Sequence, residues 1–170
     1  GQREIGATGR GESTQIGTFV KQAMTSEVSG NIIDLCPVDA LTSKPYRFSA
    51  RAWELTQHEQ IASHDCLGSN TLLHCRRNDL MRVVPKENEA LNETWLSDRD
   101  RFSYTGMISP KRLTKPQIKK EGAWVEVSWQ EALNAVLLGF NKTIGKHGVD
   151  SIAALCSPSS TTEEAYLFQK

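Results

Sequence analysis

Cys36 stands immediately before Pro37, and this pair is the residue combination best suited to metal chemistry in the chain. A thiolate followed by Pro is a recurring last ligand in iron–sulfur proteins. Proline removes a backbone donor and fixes φ, which holds the chain in a bend beside the sulfur. The competing reading is a small apolar cysteine ahead of a turn. Two residues alone leave both readings open. A second group is His64, Cys66, His74 and Cys75. Its spacing fits no usual structural-zinc pattern, and alternation along a strand separates His74 from Cys75. A third candidate is the small-residue loop "CSPSS" (156–160) before a helix start, a natural place for an anion. Thr161 and Glu164 match a capping box there, so helix capping is the simpler reading. "GATGRG" (6–11) spells Gly-x-x-Gly-x-Gly with no strand before it, which is not a dinucleotide fingerprint. The four histidines (His58, His64, His74, His147) are scattered, and no Ser/His/Asp or Cys/His constellation emerges.

The bulk properties bound what these residues can serve. The chain has 170 residues, 38% apolar and 24% charged, which suits one ordinary domain or two small ones. Lys+Arg and Asp+Glu each total 20, so neither a nucleic-acid partner nor a polybasic membrane anchor is expected. The longest purely apolar runs, such as Ala135 to Leu138 and Ile152 to Cys156, are far short of the roughly 20 residues of a membrane span. No charged n-region, apolar h-region and cleavage site open the chain, so no signal peptide is read. The irregular, wide spacing of Cys36, Cys66, Cys75 and Cys156 argues for reduced thiols rather than a disulfide framework. Gly1 starts the chain without Met, and Lys170 falls within an apolar helical pattern; both ends are therefore read as those of an internal piece.

The elements that must position the candidates follow from pattern. A polar amphipathic stretch succeeds the glycines of the first segment. "SNTLLHCRRNDLMRVVP" (69–85) predicts a β-hairpin turning at Arg77, Asn78 and Asp79. "NETWLSDRDRF" predicts a short helix. "AWVEV" (123–127) predicts a strand. Ser128 and Glu131 form a capping box, followed by an apolar stripe at Leu133, Val136, Leu137, Phe140 and Ile144. Gly145 and Gly148 are expected to end that helix. "SIAAL" (151–155) predicts a buried strand, and strands alternating with helices predict a parallel α/β sheet.

The string "SGNIIDLCPVDALTSKPYRFSARAWEL" around Cys36 closely resembles the large iron–sulfur subunit of NADH:quinone oxidoreductase (complex I). "GATGRGESTQIGTFV" before it resembles the same family, and "RLTKPQIKKEGAWVEVSWQEAL" resembles its linker into a pterin-type domain. The resemblance implies an α+β to α/β chain in three parts. Residues 1–50 would be the end of a [4Fe–4S] ferredoxin-type domain. Residues 55–111 would be a small β-rich domain of the molybdopterin-oxidoreductase N-terminal type. Residues 112–170 would start a molybdopterin-oxidoreductase-like α/β domain with no pterin. The resemblance makes Cys36 the fourth ligand of a [4Fe–4S] cluster, with the other three in a Cys-x-x-Cys-x-x-Cys run upstream of residue 1. Further [4Fe–4S] and [2Fe–2S] clusters are expected upstream, and none in this piece alone. Asp39 occupies a position where the family usually has Gly; it is expected to lower the potential of the adjacent cluster or to point into solvent.

In cluster-bearing relatives of the middle domain, four Cys follow the spacing Cys-x2-Cys-x3-Cys-x27-Cys. That frame falls here on Ala62, Asp65, Ser69 and Ser97, none of them a cysteine, so no cluster is expected there. The implied role is electron transfer from NADH through clusters toward quinone. The implied partners are other peripheral-arm subunits of complex I, at the cytoplasmic face of the bacterial inner membrane, without membrane insertion. The alternatives are a molybdopterin-dependent oxidoreductase, such as a formate dehydrogenase, and a non-catalytic assembly segment.

Overall fold

The computed structural model describes residues 4–18 and 23–170. The polar amphipathic stretch read after the first glycines falls partly on residues 19–22, outside the described residues. The chain divides into two compact units, Gly1–Met107 and Ile108–Lys170.

The first unit opens with an antiparallel pair, β1 (Ile5–Thr8) and β2 (Gln15–Thr18). The reversal uses Gly9 at φ 87, where a Cβ would lie 2.4 Å from the Ser13 carbonyl oxygen. Helix α1 (Asn31–Leu35) follows and stops at Cys36, whose ψ of 106 is extended. Next comes a three-stranded antiparallel sheet in the order β3 (Thr56–Ile61), β4 (Asn70–Arg76), β5 (Asp79–Pro85). The hairpin read from the sequence is present, with Arg77 at φ 57 in its turn. His74 pairs with Arg82 but Cys75 pairs with Leu80, so Met81 is the extra residue of a β-bulge. The bulge lies on β5, so His74 and Cys75 remain successive residues of β4, His74 buried and Cys75 half-buried.

Two short helices, α2 (Asp98–Phe102) and α3 (Tyr104–Met107), close over β5. The predicted helix over "NETWLSDRDRF" is thus confined to its last five residues, starting behind the Ser97 cap. The core is small: Val83, Leu96 (2% exposed) and Tyr104, with Leu73 and Leu80 against them. Polar ties supplement it. The Asn92 side chain accepts the Asn70 N–H at 2.9 Å and donates to the Lys86 carbonyl at 3.1 Å.

The second unit starts with a hairpin, β6 (Gln117–Lys120) and β7 (Ala123–Glu126). Glu121 and Gly122 both take positive φ, as a tight two-residue reversal between twisted strands requires. Helix α4 (Trp129–His147) has the predicted capping box: Ser128 Oγ accepts the Glu131 N–H at 3.2 Å, and the Glu131 carboxylate accepts the Ser128 N–H at 3.0 Å. Helix α5 (Thr162–Gln169) repeats the device with Thr161 and Glu164.

Two local expectations are corrected here. Gly145 lies inside α4, and the helix ends at Gly148, whose φ of 85 suits glycine alone. Residues 151–155 are not a buried strand. Ser151 closes a 3-10 turn over Val149–Ser151, and Leu155 is 99% exposed. A strand needs a neighbour to take its N–H and C=O groups. Every strand pairing among the described residues is antiparallel and joins consecutive strands, and none runs beside 151–155. The mixed helix-and-sheet class holds; the parallel pairing is not among the described residues. No residue of α4 or α5 is buried, so the stripe at Leu133, Val136, Leu137, Phe140 and Ile144 faces outward.

Candidate functional site

Cys36 is the first residue beyond α1, half-buried, in a turn where the Asp39 N–H meets the Cys36 carbonyl oxygen at 3.5 Å. The turn wraps the sulfur. The backbone N–H groups of Leu41 and Val38, and to a lesser degree that of Ala40, hold the Cys36 thiol below the ordinary cysteine range, with burial and the Asp39 charge opposing them. Converging main-chain N–H groups form an anion-accepting concavity of the kind found around phosphates and iron–sulfur centres. Pro37 contributes no N–H and keeps the bend, as its position predicts. The donor set therefore fits an anionic thiolate ligand.

Asp39 sits in the left-handed region at φ 53 and is exposed. A position that favours glycine is thus filled by one of the few side chains that tolerate it.

The four positions of the Cys frame come together in the same unit. The Ala62 N–H bonds the Ser69 carbonyl at 2.8 Å. Asp65 Oδ1 accepts the N–H groups of Leu67, Gly68 and Ser69 at 3.1, 2.9 and 3.4 Å. Ser97 Oγ caps α2 and donates to Asp100 Oδ2 at 2.6 Å, while Asp100 Oδ1 accepts the His64 N–H at 3.1 Å. His64, Asp65 and Ser97 border a cavity of about 360 Å³. Two carboxylates, from Asp65 and the buried Asp100, thus take up the donors of this loop.

The other candidates are dispersed. Cys66 and Cys156 are exposed and Cys75 is half-buried. No group of three His, Cys, Asp or Glu among the described residues converges as a metal site. His74 is 6% exposed; its Nδ1 accepts a hydrogen bond from Arg82 Nε at 3.0 Å. Burial, then the Arg82 charge, push its imidazole below the usual value.

The residues that sequence reading missed are those that hold α1. Asn31 bridges the Leu96 N–H and C=O at 2.9 and 2.8 Å. Asp98 accepts the Ser29 hydroxyl and the Gly30 N–H, both at 2.6 Å. Arg101 pairs with Asp34. These partners lie about seventy positions apart, and no local pattern announces them. Ser97-x-x-Asp100 was the only signal within reach, because capping is local.

Three family models match in succession: "NADH-quinone oxidoreductase subunit 3, ferredoxin-like domain" over residues 1–42, "NADH-ubiquinone oxidoreductase NDSU1/NuoG-like, 4Fe-4S domain" over 55–105, and "Molybdopterin oxidoreductase" over 112–170. Together they define the class, an iron–sulfur oxidoreductase subunit with a molybdopterin-oxidoreductase-type part. The chain is 49% identical over 137 residues to the G subunit of the NADH-quinone oxidoreductase of Rickettsia typhi, covering 81% of this chain and 20% of that protein. It is 50% identical over 136 residues to the G subunit from Rickettsia conorii, covering 80% and 20%. It is 47% identical over 137 residues to the NADH-ubiquinone oxidoreductase 75 kDa subunit of Reclinomonas americana, covering 81% and 20%. The chain belongs to this family, the G and 75 kDa subunits of NADH-quinone oxidoreductases. It spans about one fifth of the length of the curated relatives it matches. No helix among the described residues is long and apolar enough to cross a membrane.

Proposed function

We propose that this chain is part of the electron-transfer subunit of an NADH:quinone oxidoreductase, and that Cys36 gives one thiolate to a [4Fe–4S] cluster. The observation that carries the reading is the turn at Cys36, which follows the end of α1 and closes with the Asp39 N–H toward the Cys36 carbonyl oxygen, and whose Leu41, Val38 and Ala40 N–H groups favour the thiolate. Such donors stabilise the charge on a ligating thiolate and tune what it holds. When bound, the cluster supplies a one-electron carrier. The chain's own residues supply the rest. Cys36 ligates, the turn donates, Pro37 maintains the bend, and Asp39 adds negative charge beside the site. The other three ligands come from a Cys-x-x-Cys-x-x-Cys run that is absent from the four cysteines here. Further [4Fe–4S] and [2Fe–2S] clusters belong to the whole subunit.

The remaining assignments follow. The three parts are a ferredoxin-type end (1–50), a 4Fe–4S-type domain without ligands (55–111) and the start of a pterin-type domain (112–170). Ala62, Asp65, Ser69 and Ser97 bind no cluster, because none of them supplies the thiolate that a cubane's iron takes. No molybdopterin sits at 156–160, where Thr161 and Glu164 spend the donors on helix capping. Partners are other peripheral-arm subunits at the cytoplasmic face of the bacterial inner membrane, with no nucleic acid. A molybdopterin-dependent oxidoreductase is not favoured by the Rickettsia relatives. An assembly role for 112–170 accompanies the redox role, supported by the outward apolar stripe of α4.

Electron paramagnetic resonance of the full-length reduced subunit tests the reading. Cys36→Ala is expected to remove one cubane signal and leave the others. An unchanged spectrum would refute it.

A further inference from the structure

Arg101 is a buried arginine, 4% exposed, on α2. Its Nη2 reaches Asp34 Oδ2 at 2.5 Å and Asn31 Oδ1 at 3.1 Å. Its Nε is buried with no partner among the described residues. A guanidinium held this way has few alternatives, since a buried charge must keep its counter-ion. The surrounding contacts run in the same direction. Asp98, on the same helix, accepts from Ser29 and Gly30, and its N–H donates to the Glu27 carbonyl at 2.8 Å. Gly30 allows this approach: a Cβ there would stand 2.8 Å from both Arg101 Cδ and Asp98 Oδ1. Every one of these partners lies in residues 27–34, the stretch that leads directly into Cys36. Every one on the other side follows Ser97, the last position of the empty Cys frame and now the cap of α2.

We propose that Arg101 is a positioning residue for Cys36. Its ion pair with Asp34 pins the C-terminal end of α1, and with it the turn that wraps the sulfur. The same pair sets the local charge. With Arg101 in place, the Asp34 carboxylate two positions before the ligand is matched by a buried cation, although Asp34 itself meets solvent on its outer side. Without it, Asp34 stands as an unpaired anion beside the site and opposes the addition of an electron. The middle domain, lacking cluster ligands of its own, thereby acts on the cluster of the domain before it. This inference rests on the ligand role of Cys36.

The test uses the full-length subunit, with the cubane signal that disappears in Cys36→Ala taken as the reporter. If no signal disappears, the ligand reading itself fails, whatever Arg101 does. Given the reporter, its midpoint potential is measured in Arg101→Gln, Asp34→Asn and the double variant. The expected result is a shift to lower potential in Arg101→Gln, to higher potential in Asp34→Asn, and a value near wild type in the double variant. A purely structural tie would not move the two single variants in opposite directions. Unchanged potentials, or shifts of the same sign in both, overturn the proposal. Should Arg101→Gln assemble no cluster, Arg101→Lys decides. Recovery of the signal near the wild-type potential supports the proposal, and an unmoved potential in Asp34→Asn overturns it.

Discussion

Asp39 closes the turn onto Cys36: its N–H points to the Cys36 carbonyl oxygen at 3.5 Å, while the N–H groups of the residues on either side, Val38 and Ala40, help hold the Cys36 thiol below its ordinary range. This requires Asp39 to sit at φ 53. The backbone that makes the sulfur cradle is therefore slightly strained, and the side chain at its apex opposes the donors electrostatically.

Asp39→Gly should relax that strain. Gly adopts positive φ without a Cβ penalty, so a gain of about 1 kcal/mol is expected, partly offset by the freedom of glycine in the unfolded chain. Urea unfolding should show a higher midpoint, and a lower one would contradict the strain. In the full-length subunit the same substitution removes a negative charge beside the site, so the potential of the Cys36 cluster should rise. An unchanged potential would mean that the exposed carboxylate is screened by water.

Asp100 should matter more than its neighbours suggest. It is the acceptor for both the Ser97 hydroxyl and the His64 N–H. Asp100→Ala leaves both without a partner and should cost about 1.5–3 kcal/mol. Ser97→Ala removes the α2 cap and should cost about 1 kcal/mol. Because the two residues share one network, the double variant should lose less than the sum of the singles. Denaturant unfolding of the three variants checks this; strict additivity would dissolve the network.

His74 gives the fold a pH dependence with a definite sign. Burial and Arg82 depress its imidazole below the value of about 6.5 that it regains on unfolding. Between the two values the unfolded chain binds more protons, so stability is complete above about pH 6.5 and falls as the pH drops through that window. Glu4, held down by the Thr25 hydroxyl and N–H, and Glu131, held down by the Ser128 N–H and hydroxyl, act in the same direction. They do so only below about pH 4.3, so the windows separate. Unfolding free energies measured from pH 7.5 to 5 should decline, and His74→Gln should flatten that decline (the range is about one unit either side of the ordinary imidazole value). An equal slope in the variant would assign it elsewhere.

What could be read from the sequence was what is encoded locally. The β4–β5 hairpin follows from two apolar arms around Arg77 and Asn78, and both long-range-independent caps, Ser128 with Glu131 and Thr161 with Glu164, appear as predicted. The helix stop was right at Gly148 and wrong at Gly145, because the two look alike in sequence and only Gly148 takes the φ that ends α4. The strand at 151–155 failed for another reason. Its apolar pattern states a preference, but a strand exists only where a neighbour pairs with it. The Cys36 cradle was half visible. Cys-Pro marked the place, and the position of Asp39 hinted at positive φ, yet the action of the Leu41, Val38 and Ala40 N–H groups on the thiol is a property of the folded turn. The Asn31–Asp34–Arg101 set left no trace, because its members meet only when α2 closes on α1.

The ligand role of Cys36 is tested most directly by iron and acid-labile sulfide in the full-length subunit, measured for Cys36→Ala beside Cys66→Ala, Cys75→Ala and Cys156→Ala. The Cys36 thiol is the one that the N–H groups of Leu41, Val38 and Ala40 hold below its ordinary range. Loss of one cubane's worth of iron and sulfide is expected for Cys36→Ala, with full content in the other three. Full content in Cys36→Ala would contradict the assignment.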